Sequence, residues 1–169
     1  MPEHLVQRFV AFVDALPNRK LSTNLWPAKP VSGRFFVQEA GATSVIGPAN
    51  NARYDAHVAA LTGVDTQAAV ALYLRLYPLL QQAYRDLGYP DRHFNDRFVA
   101  VLDHLLAAPE PTAPVTVALD DKGNWIYTDT ALESASAGQK FLMRLGPQHE
   151  TAVKAKLRDI RSALAGAKP

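Results

Sequence analysis

Six residues close together carry side chains of the kind used in acid–base or hydrogen-bonding chemistry: Tyr77, Gln81, Tyr84, His93, Asp96 and Arg97. They fall in the run YPLLQQAYRDLGYPDRHFNDRFVAVLDH, residues 77–104. His93 and Asp96 stand three apart, a spacing that suits a metal pair or an acid–base pair on a helix. Projected at about 100° per residue, however, Phe94, Phe98, Val101, Leu102 and Leu105 gather on one face. Asp96 and Asp103 then share one flank, and Arg97 and His104 another. This is an amphipathic helix with a wet side, capped by Asn95 or Asp91, with Asp96 placed to favour the helix dipole. Packing explains every polar residue of the run and is preferred to a metal or catalytic centre. Tyr73, Tyr77, Tyr84 and Tyr89 also read first as core rings with satisfied hydroxyls, and second as the lining of a small polar pocket.

The other chemical feature is charge. The chain carries a net charge of +2, too small to imply a polyanion partner. From Lys140 onward, however, seven Lys/Arg face two Asp/Glu, giving +5, and the residues before hold eleven and fourteen, giving −3. Lys154, Lys156, Arg158 and Arg161 on the last helix form a candidate basic surface for phosphates or anionic lipid. A solvated helix face is the preferred reading of the same residues, and no nucleic-acid partner is expected. With no cysteine in the sequence, thiolate catalysis, disulfides and zinc–thiolate sites are excluded. No GxSxG, HExxH, DxDxDG or GxGxxG pattern occurs. SAGQK at 136–140 lacks the first glycine and the final Ser/Thr of a phosphate loop. A Ser/His/Asp triad assembled through space would leave no trace in sequence distance. The sequence predicts neither a metal nor another cofactor.

The elements that must position these groups are mainly helical. The length of 169 residues suits one globular domain. Apolar spacing predicts a helix over 4–16 ended by Pro17, then an irregular connection over 17–33 anchored by Trp26. Arg34–Gln38 and Thr43–Ile46 form a hairpin turning at Gly41. Asn50 or Asn51 caps a helix to Thr62. Asp65 caps the next, Thr66–Leu87, which is apolar on nearly every side and so reads as the buried centre of the fold. Pro78 predicts a kink or break near Leu74–Tyr77 and frees a carbonyl that needs a partner, one of the tyrosines or something bound. After a helix that begins around Asp91–Asn95 and ends before Pro109, 110–114 is a linker, and Val115–Tyr127 a second hairpin. Ser136 and Gln139 form a capping box, Gly146 ends that helix, and Pro147 opens the last. The fold class is mainly α (α+β): about six helices packed around a central Pro-kinked helix, with two small hairpins.

Several blocks, in order along the chain, resemble one family: RFVAFVDALP (8–17), GRFFV (33–37), PANNARY (48–54), YPLLQQAYRDLGYP (77–90), FNDRFVAVLDHLLAAP (94–109), SAGQKFLMRLGP (136–147) and VKAKLRDIR (153–161). The family is the bacterial domain of unknown function numbered 3014. The resemblance implies an envelope protein whose domain is held in the periplasm by an amino-terminal membrane segment and a proline-rich linker. This sequence has no apolar run long enough to span a membrane and no signal-peptide start, so it is expected to be a soluble piece of such a protein. No catalytic residue is implied. The first expectation is therefore a non-enzymatic envelope binding or scaffold domain with a protein or cell-wall partner. The alternatives are a small hydrolase or transferase with a site near the kinked helix, and anionic-surface binding by the last helix.

Overall fold

The computed structural model describes residues 2–25, 31, 33–112 and 114–167. Trp26, the expected anchor, lies outside the described residues. Eight α-helices are described: α1 (Pro2–Ala15), α2 (Ala49–Ala52), α3 (Asp55–Thr62), α4 (Thr66–Asp86), α5 (Phe94–Leu106), α6 (Thr130–Ser134), α7 (Ala137–Leu145) and α8 (Pro147–Ala165). Four short strands accompany them: β1 (Val37–Ala40), β2 (Thr43–Ile46), β3 (Thr116–Leu119) and β4 (Trp125–Tyr127). The mainly α architecture with a small β component is the one the sequence predicts. The predicted single helix to Thr62 is split into α2 and α3, and α6 adds a turn the sequence reading left unassigned.

Local signals place most boundaries. Asp65 caps α4 by accepting from the Ala68 amide at 2.7 Å. Ser136 and Gln139 form the predicted capping box of α7. Gly41 makes the β1–β2 turn at φ 66°. Gly146 sits at φ 84° between α7 and α8, where a Cβ would also meet the Asn51 side chain at 2.4 Å, so glycine is required twice over.

The two hairpins join into one antiparallel sheet of order β1-β2-β3-β4, with Ser44 opposite Val117 and Leu119 opposite Trp125. The helices bury one large core around Val10, Tyr84, Phe94, Val101, Leu102, Leu145 and Leu164. A smaller core of Val117, Tyr127, Ala135 and Met143 lies under the sheet. α8 packs against α3, α4, α5 and α7, while α4 packs against α1, α5 and α8.

Two expectations fail here. α4 is not buried on every side: Leu72 and Leu79 are 56% and 52% exposed, on the face that also carries Arg75, Gln82 and Asp86. Its core side is narrower, comprising Val70, Tyr73, Leu80, Ala83 and Tyr84. Nor does Asn50 cap α2. It is fully buried, with Oδ1 accepting from the Phe36 amide at 2.9 Å and Nδ2 donating to the carbonyls of Phe36 and Gly47. Asn50 therefore bonds the start of the first hairpin to α2, a long-range task that outweighs a local cap because an unpaired buried amide is costly.

Candidate functional site

Gln81 is the hub of the predicted pocket residues. Its Oε1 accepts from the Tyr77 hydroxyl at 3.0 Å and from the Phe94 amide at 2.9 Å, and its Nε2 donates to the Arg92 carbonyl at 2.8 Å. Gln81 thus supplies, from α4, the hydrogen bond that the first amide of α5 needs. The predicted caps are not used: His93 holds the cap position without a side-chain bond, and the Asn95 Oδ1 accepts from Tyr73 at 3.1 Å. Arg97 reaches α1, donating from Nε to Asp14 Oδ1 and from Nη2 to the Asp14 carbonyl, both at 2.7 Å. Tyr89 donates to the other Asp14 oxygen at 3.3 Å. Tyr84 is buried, its ring stacked on Tyr89 with centroids 4.7 Å apart.

His93 and Asp96 are both exposed, and no hydrogen bond or ion pair joins them. The structure therefore brings Tyr77 and Gln81 together, clasps Arg97 to α1, packs Tyr84 into the core, and leaves His93 and Asp96 separate at the surface. Burial pushes the Tyr73 phenol well up, with Tyr77 and Asp96 adding to the shift, and burial also raises Tyr84. Both phenols stay protonated at neutral pH. The hydroxyls of Tyr73, Tyr77 and Tyr89 go to Asn95, Gln81 and Asp14 rather than to the carbonyl freed by Pro78. α4 runs through Pro78 unbroken, with the proline itself exposed.

A serine–histidine pair appears that sequence distance could not reveal. His104 Nε2 lies 2.8 Å from Ser136 Oγ, and Gln139 Nε2 donates to the His104 carbonyl at 3.0 Å. Ser136 Oγ also caps the Gln139 amide at 3.2 Å. The next amides of α7 are taken by the turn that follows α1: Ala137 donates to the Asn18 carbonyl at 2.7 Å and Gly138 to the Leu16 carbonyl at 3.0 Å. An acyl-transfer serine needs free amides nearby for its oxyanion, and these two are bonded. The pair ties α5 to α7, and the turn after α1 closes on the same place. A Cβ on Gly138 would meet Leu105 at 2.6 Å, which shows how closely α5 approaches α7.

The candidate basic surface divides into separate fates. Lys154 is not on the surface. It is 1% exposed, and its Nζ donates to the Ala108 carbonyl and to Glu110 Oε1, each at 2.7 Å. Lys156 donates to the Val64 carbonyl at 2.7 Å, and Arg161 pairs with Asp103 at 2.9 Å. Arg158 is exposed near Glu110, whose carboxyl is held below its ordinary range by Lys154 first and Arg158 further. Three of the four cations are thus committed within the fold. The sequence could not sort them because charge counts ignore burial. Asp96 and Asp103 line an open groove of about 550 Å³ beside the end of α8, where the charge of Asp103 is already matched by Arg161.

A cleft of about 380 Å³ lies between the sheet, residues Pro111, Thr112, Pro114 and Val115, and the α7–α8 junction. Val45, Ile46, Pro111, Pro114, Met143 and Pro147 give it apolar walls, and Gln38 and Asn51 contribute amides. One acid lines it: Glu150, in the first turn of α8 and 2% exposed. Glu150 Oε1 is buried and has no hydrogen-bond partner, though the Lys154 ammonium stands 3.1 Å away at ion-pair distance. The Lys154 ammonium, which also donates to the Ala108 carbonyl and to Glu110, thus stands between the two carboxylates. Burial raises the acid strength threshold of Glu150 above the ordinary glutamate value despite Lys154. Sequence reading missed this residue, because nothing local distinguishes Glu150 from any acid that favours a helix start.

Among the described residues, no helix is long and apolar enough to cross a membrane, and no three His, Cys, Asp or Glu side chains are grouped to hold a metal ion. No curated protein and no solved structure matches the chain. A family model described as a protein of unknown function, DUF3014, matches residues 5–161, nearly the whole chain and all the elements that build both the helical body and the cleft; the chain belongs to that family.

Proposed function

We propose that this chain is a non-enzymatic binding domain that works in the bacterial envelope, held in the periplasm by an anchor outside this sequence, and that it receives its partner in the cleft beside Glu150. The observation that carries this reading is the contrast in hydrogen bonding. In the helical body, Gln81, Arg97, Ser136 and His104 hold one another and the backbone. In the cleft, one acid, Glu150, lies buried among apolar walls with the Lys154 ammonium 3.1 Å from its Oε1. Concave, mostly apolar surfaces with a few polar groups are the usual form of a binding site.

The test is capture from bacterial envelope extracts with the wild-type chain and two variants. Thr112→Trp, at an exposed position on the cleft wall, fills the cleft; Arg75→Ala alters the exposed face of α4. Wild type and Arg75→Ala are expected to enrich the same partner, and Thr112→Trp to lose it. Capture unchanged by filling the cleft overturns the reading.

A further inference from the structure

We infer that β1 is a pairing edge at which two copies of this chain join antiparallel, Val37 of each opposite Glu39 of the other, so that the two sheets become one. This goes beyond the binding reading above and does not depend on it.

The two edges of the sheet are finished differently. β1 and β4 are its outer strands. On β4, the Asp120 amide donates to the Asn124 carbonyl and the Thr128 amide to the Thr116 carbonyl, so by alternation the backbone groups of Trp125 and Tyr127 point outward. Side chains take them: Arg144 donates to the Trp125 carbonyl at 3.3 Å, and Glu133 accepts from the Tyr127 amide at 2.9 Å. On β1, the Gly47 amide donates to the Phe36 carbonyl at 3.1 Å, which makes Phe36, Gln38 and Ala40 the residues whose backbone faces β2. Val37 and Glu39 therefore turn their N–H and C=O groups outward. Among the described residues, β2 is the only strand beside β1, and no side chain bonds the backbone of Val37 or Glu39. An open outer strand is a template for another strand, and the usual guards, lysine or proline, are missing from VQEA.

The occupant is a second copy because β1 complements itself. Glu39 is the one charge on the strand. Centring the pair on Gln38 sets Val37 opposite Glu39 twice. Every outward N–H and C=O of both strands then finds a partner, and the carboxylates do not face each other. Centring on Glu39 would set like charges opposite, and centring on Val37 would leave Glu39 against Phe35, outside the strand. In the favoured register Phe36, 49% exposed, gains Ala40 of the second copy as its cross-strand neighbour. The Gln38 amides meet on the two-fold axis. Gln38 also lines the cleft, so two clefts come side by side along a sheet of eight strands, four from each copy. The contact is small, which makes the dimer weak and dependent on concentration.

The experiment is sedimentation of the 169-residue chain from about 10 μM to about 1 mM, the range in which a small interface associates, with amide hydrogen exchange by NMR at both ends. Monomer is expected at the low end and dimer at the high end. Exchange of the Val37 and Glu39 amides should slow by about threefold or more on dimerisation, while the Gln38 amide, which faces β2, is unchanged. Glu39→Pro removes an outward N–H that β2 does not use and puts a ring in the path of the second copy. Gln38→Lys sets two ammoniums opposite each other on the axis. Both variants should stay monomeric, with circular dichroism checking the fold; where Glu39→Pro fails to fold, Gln38→Lys decides. Monomer at every concentration overturns the inference. A dimer that survives in either folded variant also overturns it, since the copies then join through another surface, such as the exposed Leu72 and Leu79 of α4. Neither result bears on the Thr112→Trp capture, which tests the cleft reading separately.

Discussion

Around Gln81, the side chains that could do chemistry have one another. Tyr77, the Phe94 amide and the Arg92 carbonyl all meet on one glutamine, and Asp14 gathers Arg97 and Tyr89. Around Glu150 partners are fewer: Glu150 and Glu110 both lean on the Lys154 ammonium, with the Arg158 charge beside Glu110. The first region looks chemical in sequence because it is dense in polar residues, yet density is what lets them satisfy each other. The second is a single acid in an apolar setting. What separates structure-holding polar groups from ligand-ready ones is the number of partners left over, and that depends on burial.

If this comparison is right, substitutions in the helical body cost stability and those in the cleft cost binding. The largest loss is expected for Arg97→Met, which leaves the mostly buried Asp14 without its cation; about 2–3 kcal/mol should disappear from the urea-unfolding free energy. Gln81→Leu strands the Phe94 amide and the Arg92 carbonyl, for about 1–2 kcal/mol by the same measurement. Ser136→Ala removes the cap of α7 and the contact with His104, with a loss of about 1 kcal/mol. Glu150→Gln should be nearly neutral, within about 0.5 kcal/mol, or stabilising, since a neutral amide is easier to bury than a carboxylate. A loss at Glu150→Gln as large as at Gln81→Leu would erase the distinction between the regions.

Acidity sharpens the last case. Burial raises Glu150, so the folded chain holds that proton more tightly than the unfolded chain does. The stability it adds is full below the ordinary glutamate range and is lost as pH rises through the raised value. Glu150→Gln lacks this loss, so its stability relative to wild type should be more favourable at about pH 7.5 than at about pH 4. Glu110, Glu133 and Asp103 act in the opposite sense. Lys154 holds Glu110 down. Burial pushes Glu133 up, but Lys140 and the Tyr127 amide outweigh it, and the Arg161 hydrogen bond lowers Asp103. Their contributions belong to both proteins and largely cancel in the difference of urea midpoints. A difference that ran the other way would mean that Glu150 is stabilised as a carboxylate.

Much of the fold was legible because its signals are local. Asp65, the Ser136–Gln139 box, Gly41 and Pro147 each act within a few residues of themselves, and each does what its type predicts. Reading failed where a side chain serves a distant element. Asn50 bonds Phe36, Gln81 starts α5 from α4, and the hairpins join through Ser44 and Val117. α4 misled for a different reason: counting its leucines hides that Leu72 and Leu79 share the wet face with Arg75. At the candidate site the sequence found Tyr77, Gln81 and Arg97 but assigned no partners. It placed Lys154 outside when it is inside, and passed over Glu150, whose interest comes only from what surrounds it.

The clasp on α1 also has a meaning for how the chain comes together in time. Asp14 waits for Tyr89 and Arg97, and the carbonyls of Leu16 and Asn18 wait for Gly138 and Ala137. During synthesis, the first helix of this domain is thus among its last to be completed, with α1 lacking most of its cover until α4 and α5 have followed. Such late closure makes for slow assembly and a vulnerable interval on the ribosome. The amino terminus of this domain is where a growing chain would most need either a holding chaperone or simply more time.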